Sequence, residues 1–295
     1  MRRKIIPGCD IDSVFELNSD DVQKMLPVRR SDDHKGKRGG VLIAAGSARY
    51  RGAALLAARG ALRMGAGIVV VASVEEVLTP LSLSLPEAIM ERLDAPEDLD
   101  DIFDRWRERC SVLLVGPGLD RDERARGICR RAARWSGPSV WDGDGLYWLA
   151  EEKLRPSQCC VTPHFGEAQR LIGLPLGDHR FANAQTLAEL YGAAVLKGPR
   201  SVVAQKNSPL WDVPRGDRTL SIPGSGDVLA GACAAMCAAG LGFQEALAVA
   251  VWCHGVAGER IGRLQGKDGA LAHEVADMLP LVLKELVNRA NHSKL

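Results

Sequence analysis

The stretch GVLIAAGSARYRGAALLAARGALRMGAGIVVVAS, running from Gly40 to Ser73, divides into three parts. Residues 40–45 are a short apolar run. Residues 52–64 are an Ala-rich helical pattern that Gly52-Ala53-Ala54 opens. Residues 68–73 are a second apolar run rich in Val. A strand, a helix and a second strand in that order predict a βαβ unit, hence strands lying parallel. The strands are apolar at nearly every position, as strands covered on both faces must be.

The same alternation continues outward. Apolar runs at 112–116, 139–142, 159–162, 194–197 and 201–205 read as further strands. Helical patterns fall at 97–107, 122–135, 165–171 and 183–191. The last third differs, with 227–239, 243–262 and 270–289 reading as three helices. The first two of these are Ala-rich and almost uncharged, so they should be buried. Residues 1–37 form a lead-in segment, with a short helix near 19–26 capped by Ser19 or Asp20. No repeat, low-complexity linker or composition break appears. The expectation is an α/β fold: one three-layer α/β/α domain over residues 1–295, with a mainly parallel central sheet.

Composition narrows the function. The 295 residues carry 38 Lys+Arg against 37 Asp+Glu, a net charge of +1. That excludes a strongly basic nucleic-acid binder and an acidic disordered chain. The basic stretch 121–134 is mixed with acids and reads as a solvated helix face. The start, Met1 to Pro7, is basic without an apolar core behind it, so no secretory signal is expected. The longest uncharged stretch, 228–244, is too short to span a membrane. The eight Cys form no CxxC pair. Cys233 and Cys237 share a helix face without a nearby His. They read as buried free thiols of a reducing cytoplasm, not as a metal site. Glycine is abundant at 31 residues, while aromatics make up only 5%. Such a chain suits close helix packing and ligand sites lined by backbone.

Several motifs carry chemistry. Ser221-Ile222-Pro223-Gly224-Ser225-Gly226-Asp227 ends in a helix start, where free N–H groups and the helix dipole make an anion site. Gly224, Ser225 and Gly226 would line it. Asp227 there could take a proton from an attacking hydroxyl, or simply cap a buried helix. Thr162-Pro163-His164-Phe165-Gly166-Glu167 follows a strand, the usual ligand end of open α/β sheets. His164 offers a donor or acceptor, and Glu167 could hold a Mg²⁺–phosphate group directly or through water. A plain strand–turn–helix link is the alternative. Lys197-Gly198-Pro199-Arg200-Ser201 suits phosphate oxygens, or forms a solvated hairpin. Gly46-Ser47 and Gly52 resemble a dinucleotide-binding βα turn, but the spacing is not Gly-x-Gly-x-x-Gly, and there is no P-loop. Val115-Gly116-Pro117-Gly118-Leu119 is another tight turn after a strand. The acids of Trp141-Asp142-Gly143-Asp144 could bind metal or ribose, or make a turn.

Their order is the informative part. His34-Lys35-Gly36, the glycine-rich block ending in Arg63-Met64-Gly65-Ala66-Gly67, Val115-Gly116-Pro117-Gly118, Asp142-x-Asp144, Thr162-Pro163-His164-x-Gly166-Glu167, Lys197-Gly198 and Gly224-x-Gly226-Asp227 follow one another. From about His34 to Val282 the chain resembles the ADP/ATP-dependent NAD(P)H-hydrate dehydratases of the ribokinase-like superfamily. Related sugar and vitamin kinases usually have Asn in place of His164. The resemblance implies repair of NADH or NADPH that has added water across the C5–C6 bond of its ring. Asp227 would deprotonate the C6 hydroxyl, which attacks the terminal phosphate of ADP or ATP. Phosphate then leaves, assisted by the ring nitrogen, and the double bond returns. Ala53, Gly118, His164 and Asp227 would surround the hydrate. Lys197, Gly198, Pro199, Arg200, Ser201 and Gly226 would surround the adenine nucleotide, and Glu167 would support Mg²⁺.

The chain departs from that family's pattern at Lys37, Arg38, Tyr147 and residues 216–220, and by Pro223 in the anion turn. Because so little chain precedes His34, the epimerase domain fused to many relatives is not expected. The resemblance also implies a homo-oligomer; the thiols, the balanced charge and the lack of a spanning stretch point to a cytoplasmic protein with no nucleic-acid or membrane partner. Two other readings stand beside it: a vitamin-precursor kinase of the same fold, and a nucleotide-binding regulator without turnover.

Overall fold

A computed structural model describes residues 2–4, 14–27, 38–174, 177 and 179–292. His34-Lys35-Gly36, Lys37 and Cys9 lie outside the described residues. The chain opens with β1 (Arg2–Lys4), β2 (Val14–Glu16) and α1 (Ser19–Met25). Next come β3 (Gly40–Ala44), α2 (Arg51–Arg63), β4 (Ile68–Ser73), α3 (Glu75–Ser84), β5 (Ile89–Arg92) and α4 (Asp98–Trp106). The middle holds β6 (Val112–Val115), α5 (Glu123–Ala132), β7 (Ser139–Trp141), α6 (Asp144–Glu151), β8 (Cys159–Val161), α7 (Phe165–Ile172), α8 (Arg180–Tyr191) and β9 (Ala193–Leu196). It closes with β10 (Ser201–Gln205), β11 (Leu210–Val213), a 3-10 turn (Arg218–Leu220), α9 (Ser225–Ala238), α10 (Phe243–Gln265) and α11 (Ala272–His292).

The strands form one sheet in the order β1-β2-β11-β10-β9-β8-β7-β6-β3-β4-β5. From β9 to β5 every neighbouring pair is parallel. Antiparallel pairing enters where β10 meets β9 and β11, and where β1 meets β2. Successive residues of β3 point to opposite cores: Val41 and Ile43 to one, Leu42 and Ala44 to the other. Strands β4 and β6 alternate in the same way. Both faces are therefore covered, and the expected three-layer α/β/α arrangement is what the chain adopts. Helices α2, α9, α10 and α11 cover one face. Helices α4 to α8 cover the other.

The face under α2 and α9 explains the small side chains. A Cβ on Gly231 would stand 1.9 Å from the carbonyl oxygen of Ala57, and one on Gly60 2.3 Å from that of Val228. The two backbones touch, which side chains larger than hydrogen would forbid. Every residue of α9 is buried except Gly226 and Asp227.

From β3 the chain steps outward to β4 and β5, then returns to β6 on the other side of β3 and proceeds to β9. That reversal makes a crevice beyond the carboxyl ends of β3 and β6, where sheets of this kind bind ligands. The loops beyond the two strands are joined there, Gly46 N–H donating to the Pro117 carbonyl at 2.8 Å.

Some expectations need correction. Helix α1 is capped by Asn18, not by Ser19 or Asp20. Its side chain accepts from the N–H groups of Asp20 and Asp21, while Asp21 accepts from Asn18 N–H. Helices α3 and α6 and strands β5 and β11 lie in stretches not read as elements. Seven of the eight cysteines are described, and all are buried free thiols. Among the described residues no helix is long and apolar enough to cross a membrane.

Candidate active site

Strands β7, β8 and β9 are neighbours, so the residues just beyond their ends come together. These are Asp142, Thr162 and Lys197. Thr162 Oγ1 donates to Asp142 Oδ1 at 2.7 Å, and Lys197 Nζ donates to the same oxygen at 2.8 Å. Asp142 is 3% exposed and Thr162 fully buried. A second carboxylate oxygen, Glu167 Oε2, lies 3.9 Å from Lys197 Nζ. Burial opposes the charge on Lys197, but Asp142 and Glu167 outweigh it and hold the ammonium above its ordinary range. Burial raises Glu167, with Lys197 pulling the other way.

Helix α9 begins against this cluster. A Cβ on Gly226 would stand 3.3 Å from Lys197 Nζ and 3.8 Å from Asp142 Oδ2. The N-cap residue Gly224 has φ +84°, in the left-handed region that glycine tolerates, and no side chain caps the helix. Ser225 N–H donates to the Ile222 carbonyl. The amides of Gly226 and Asp227 have no acceptor among the described residues, so they are the donors this turn offers. The Ser225 hydroxyl faces inward, 3.1 Å from His254 Nε2 on α10, which also lies 3.0 Å from the Ser225 carbonyl. Burial lowers His254 to about 4, so its ring is neutral. Sequence reading missed His254. Its one signal was a lone His inside the apolar run 243–262.

Asp227 makes no hydrogen bond or ion pair with the described residues. Burial, then the charge of Asp142, pushes its carboxyl up to about 7, against the pull of Lys197. A partly buried carboxylate poised near neutrality is suited to general-base work.

Across the crevice, His164 is the N-cap of α7. Its Nδ1 accepts from Gly166 N–H at 3.0 Å and Glu167 N–H at 3.4 Å. Glu167 Oε2 accepts from His164 N–H at 2.8 Å, completing a capping box. With Nδ1 an acceptor, the neutral ring carries its proton on Nε2, on a side chain that is 62% exposed. Gly118 and Ala53 also meet, since a Cβ on Gly118 would stand 2.7 Å from that of Ala53. Gly116 links this pair to the acidic row: its Cβ would stand 2.0 Å from the Asp142 carbonyl oxygen.

The structure thus gathers Lys197, Glu167, Gly226 and Asp227 around Asp142 and Thr162. Gly198 and Pro199 lie exposed beyond Lys197. Arg200 turns toward the sheet's other end, where it pairs with Asp212 at 2.7 Å and with Glu16. Ser201 is buried in β10. Asp144 accepts from Asp120 N–H and Arg121 Nε, as in a turn. Tyr147 lies between the guanidinium groups of Arg121 and Arg170. In the departing loop, Asp217 caps the 3-10 turn and pairs with Lys267 at 3.0 Å. Among the described residues no three His, Cys, Asp or Glu side chains are grouped to cage a metal.

The family model for NAD(P)H-hydrate dehydratase matches residues 41–281. The chain belongs to the NAD(P)H-hydrate dehydratase family. It is 41% identical over 284 residues to the bifunctional NAD(P)H-hydrate repair enzyme of Thermanaerovibrio acidaminovorans, covering 92% of this chain and 55% of that protein. The chain spans about half the length of the bifunctional relatives it matches. A ribokinase-like superfamily protein of Enterococcus faecalis superposes with TM-score 0.84 at 25% identity, covering 92% of this chain and 96% of that one. The ADP/ATP-dependent NAD(P)H-hydrate dehydratase of Bacillus subtilis, co-crystallised with ATP/Mg²⁺, gives TM-score 0.78 at 30% identity, covering 91% of this chain and 97% of that chain. The fold of this family member is ribokinase-like.

Proposed function

We propose that the chain dehydrates NAD(P)H hydrate at the expense of ADP or ATP. The observation that carries this reading is Asp227: a carboxylate held near neutrality, without a partner among the described residues, at an uncapped helix start. Family membership and the likeness to the Bacillus subtilis enzyme support it.

Asp227 takes the proton of the hydrate's C6 hydroxyl, and that oxygen attacks the terminal phosphorus of the nucleotide, whose bond to the bridging oxygen breaks so that AMP leaves from ADP, or ADP from ATP. The phosphorylated carbon then loses phosphate with the C5 proton, and the C5=C6 bond re-forms. The Gly226 and Asp227 amides and Lys197 balance charge on the transferring phosphoryl group. Gly224 shapes that turn, and Ser225 serves it through its bond to His254. Gly198 and Pro199 border the nucleotide; Arg200, paired with Asp212 and Glu16, and Ser201, bonded to the Gly198 carbonyl, shape that loop without facing it. Ala53, Gly118 and the Nε2 donor of His164 border the hydrate.

The side chains fit Mg²⁺ that arrives on nucleotide phosphates and keeps its waters, with Glu167 as a single supporting carboxylate. Bound there, the ion supplies charge neutralisation. The free thiols suit a reducing cytoplasm. Two cores on one shared sheet support a single domain, and the homo-oligomer is what the family resemblance implies.

Purified protein with Mg²⁺ and ADP or ATP should restore the near-ultraviolet absorbance of NADH from its hydrate. No recovery with either nucleotide would sink the reading. A stable phosphorylated alcohol from a vitamin-precursor panel would point to a kinase.

A further inference from the structure

Lys197 is doubly engaged by acid, and neither partner is an ordinary surface group. Asp142 is 3% exposed, and its Oδ1 receives both Lys197 Nζ at 2.8 Å and Thr162 Oγ1 at 2.7 Å. Glu167 Oε2 closes the other side at 3.9 Å. The ammonium is thus the cation in a cradle of two carboxylates and a hydroxyl. It also faces the one part of α9 that is not buried, standing 3.3 Å from where a Cβ on Gly226 would be. A core ion pair kept only for packing has no reason to stand beside two unpaired helix amides.

We propose that Asp142, oriented by Thr162, is the positioning residue that holds Lys197 for an incoming phosphate. This rests on the nucleotide-dependent reading above. Each group has a stated task. Thr162 fixes the rotamer of Asp142 by donating to its Oδ1. Asp142 keeps the flexible lysine stem from swinging out to solvent. Glu167 flanks the ammonium on its second side at 3.9 Å. The phosphate meets a fixed ammonium and two fixed N–H groups, so little ordering is left to be done on binding. The cradle has the chemistry of a small monovalent-cation site whose cation is covalently attached to β9.

Removing the lysine head should therefore leave a site that a free cation can refill. Lys197→Ala should weaken Mg·ADP binding about 30-fold, read by calorimetry. Ammonium chloride should recover about 5-fold or more of that loss, against tetramethylammonium chloride at equal ionic strength. In Asp142→Asn/Lys197→Ala the recovery should fall at least threefold, because the carboxylate that holds the cation at hydrogen-bond distance is gone and only Glu167 is left. Equal affinity in the two salts for Lys197→Ala, or equal recovery in the double variant, overturns the proposal.

Lys197→Ala leaves Asp142 buried without a counter-charge and could fail to fold. Asp142→Asn alone is nearly isosteric and serves instead. It should lower ADP affinity about 10-fold while the hydrate KM stays unchanged. Unchanged ADP affinity overturns the proposal. The wild-type dehydratase assay is read separately. An inactive wild type with ammonium-restored ADP binding would sink the function and keep the cradle. An active wild type without restoration would do the reverse.

Discussion

Two helices begin at the same crevice and begin differently. Helix α7 starts on His164, whose ring and the Glu167 carboxylate satisfy its first amides and close a capping box. Helix α9 starts on Gly224 with no side-chain cap and, among the described residues, two amides without acceptors and an acid without a partner. One start is complete in itself. The other is complete only when something anionic arrives. An orphan donor at a helix start costs stability, so a start left open beside a pre-charged lysine is where the fold reserves room for ligand.

The comparison breaks most decisively at Asp227. Asp227→Asn should lower dehydratase turnover about 1,000-fold, as loss of a general base does, while circular dichroism stays native. Turnover within about threefold of wild type would remove Asp227 from the chemistry. In the wild type the rate should climb as pH rises through about 7, where Asp227 ionises.

Stability should show the second largest effect. The folded pKa of Asp227 is raised, so the folded state binds its proton more tightly than the unfolded chain does. That stability is fully present below pH 4 and is lost as pH rises through about 7, a change of up to about 4 kcal/mol. His254 contributes in the opposite sense. Its folded pKa is lowered to about 4, so its contribution is present above about 6.5 and lost as pH falls toward 4. Urea denaturation at pH 5 and pH 8 checks this: Asp227→Asn should gain most at pH 8. A gain that is the same at both pH values would show that Asp227 is not strained.

Gly224→Ala tests the open start as architecture. With φ +84° and Leu56 Cδ1 2.3 Å from the new Cβ, it should cost about 2 kcal/mol in urea denaturation. The smallest effect sharpens the closed start. His164→Ala should lose about 1 kcal/mol with the cap. His164→Asn should keep the cap yet raise the hydrate KM about 10-fold, since Asn caps well and lacks the Nε2 donor. If His164→Asn leaves the KM unchanged, His164 is a cap and nothing more.

The parallel sheet was legible because β3, β4 and β6 are apolar at nearly every position, a pattern that only strands covered on both faces show. Helix α3 was not, because Val74 gives no cap signal and Pro80 interrupts its pattern. Strand β5 is a four-residue edge, half exposed and without a run to notice. Strand β11 hides Asp212, an acid that is fully buried because Arg180 and Arg200 pair with it across the fold. In the site, single motifs could be read but not their meeting. Asp142, Thr162 and Lys197 lie in three separate motifs. Only the adjacency of β7, β8 and β9 makes one oxygen of Asp142 their common partner. His254 was invisible because its role depends on α10 lying against the first turn of α9.

The contact between α2 and α9 has a mechanical meaning. Gly60 and Gly231 let the two backbones touch, so the helices behave as one bar. Ala53 in the first turn of α2 and Gly226 with Asp227 in the first turn of α9 are both mounted on it. Backbone contact, which thermal motion of side chains hardly alters, thus sets the gauge between the proposed hydrate and the proposed phosphate donor. A methyl group added at Gly231, well away from either ligand, would pry the bar apart and mis-set that gauge.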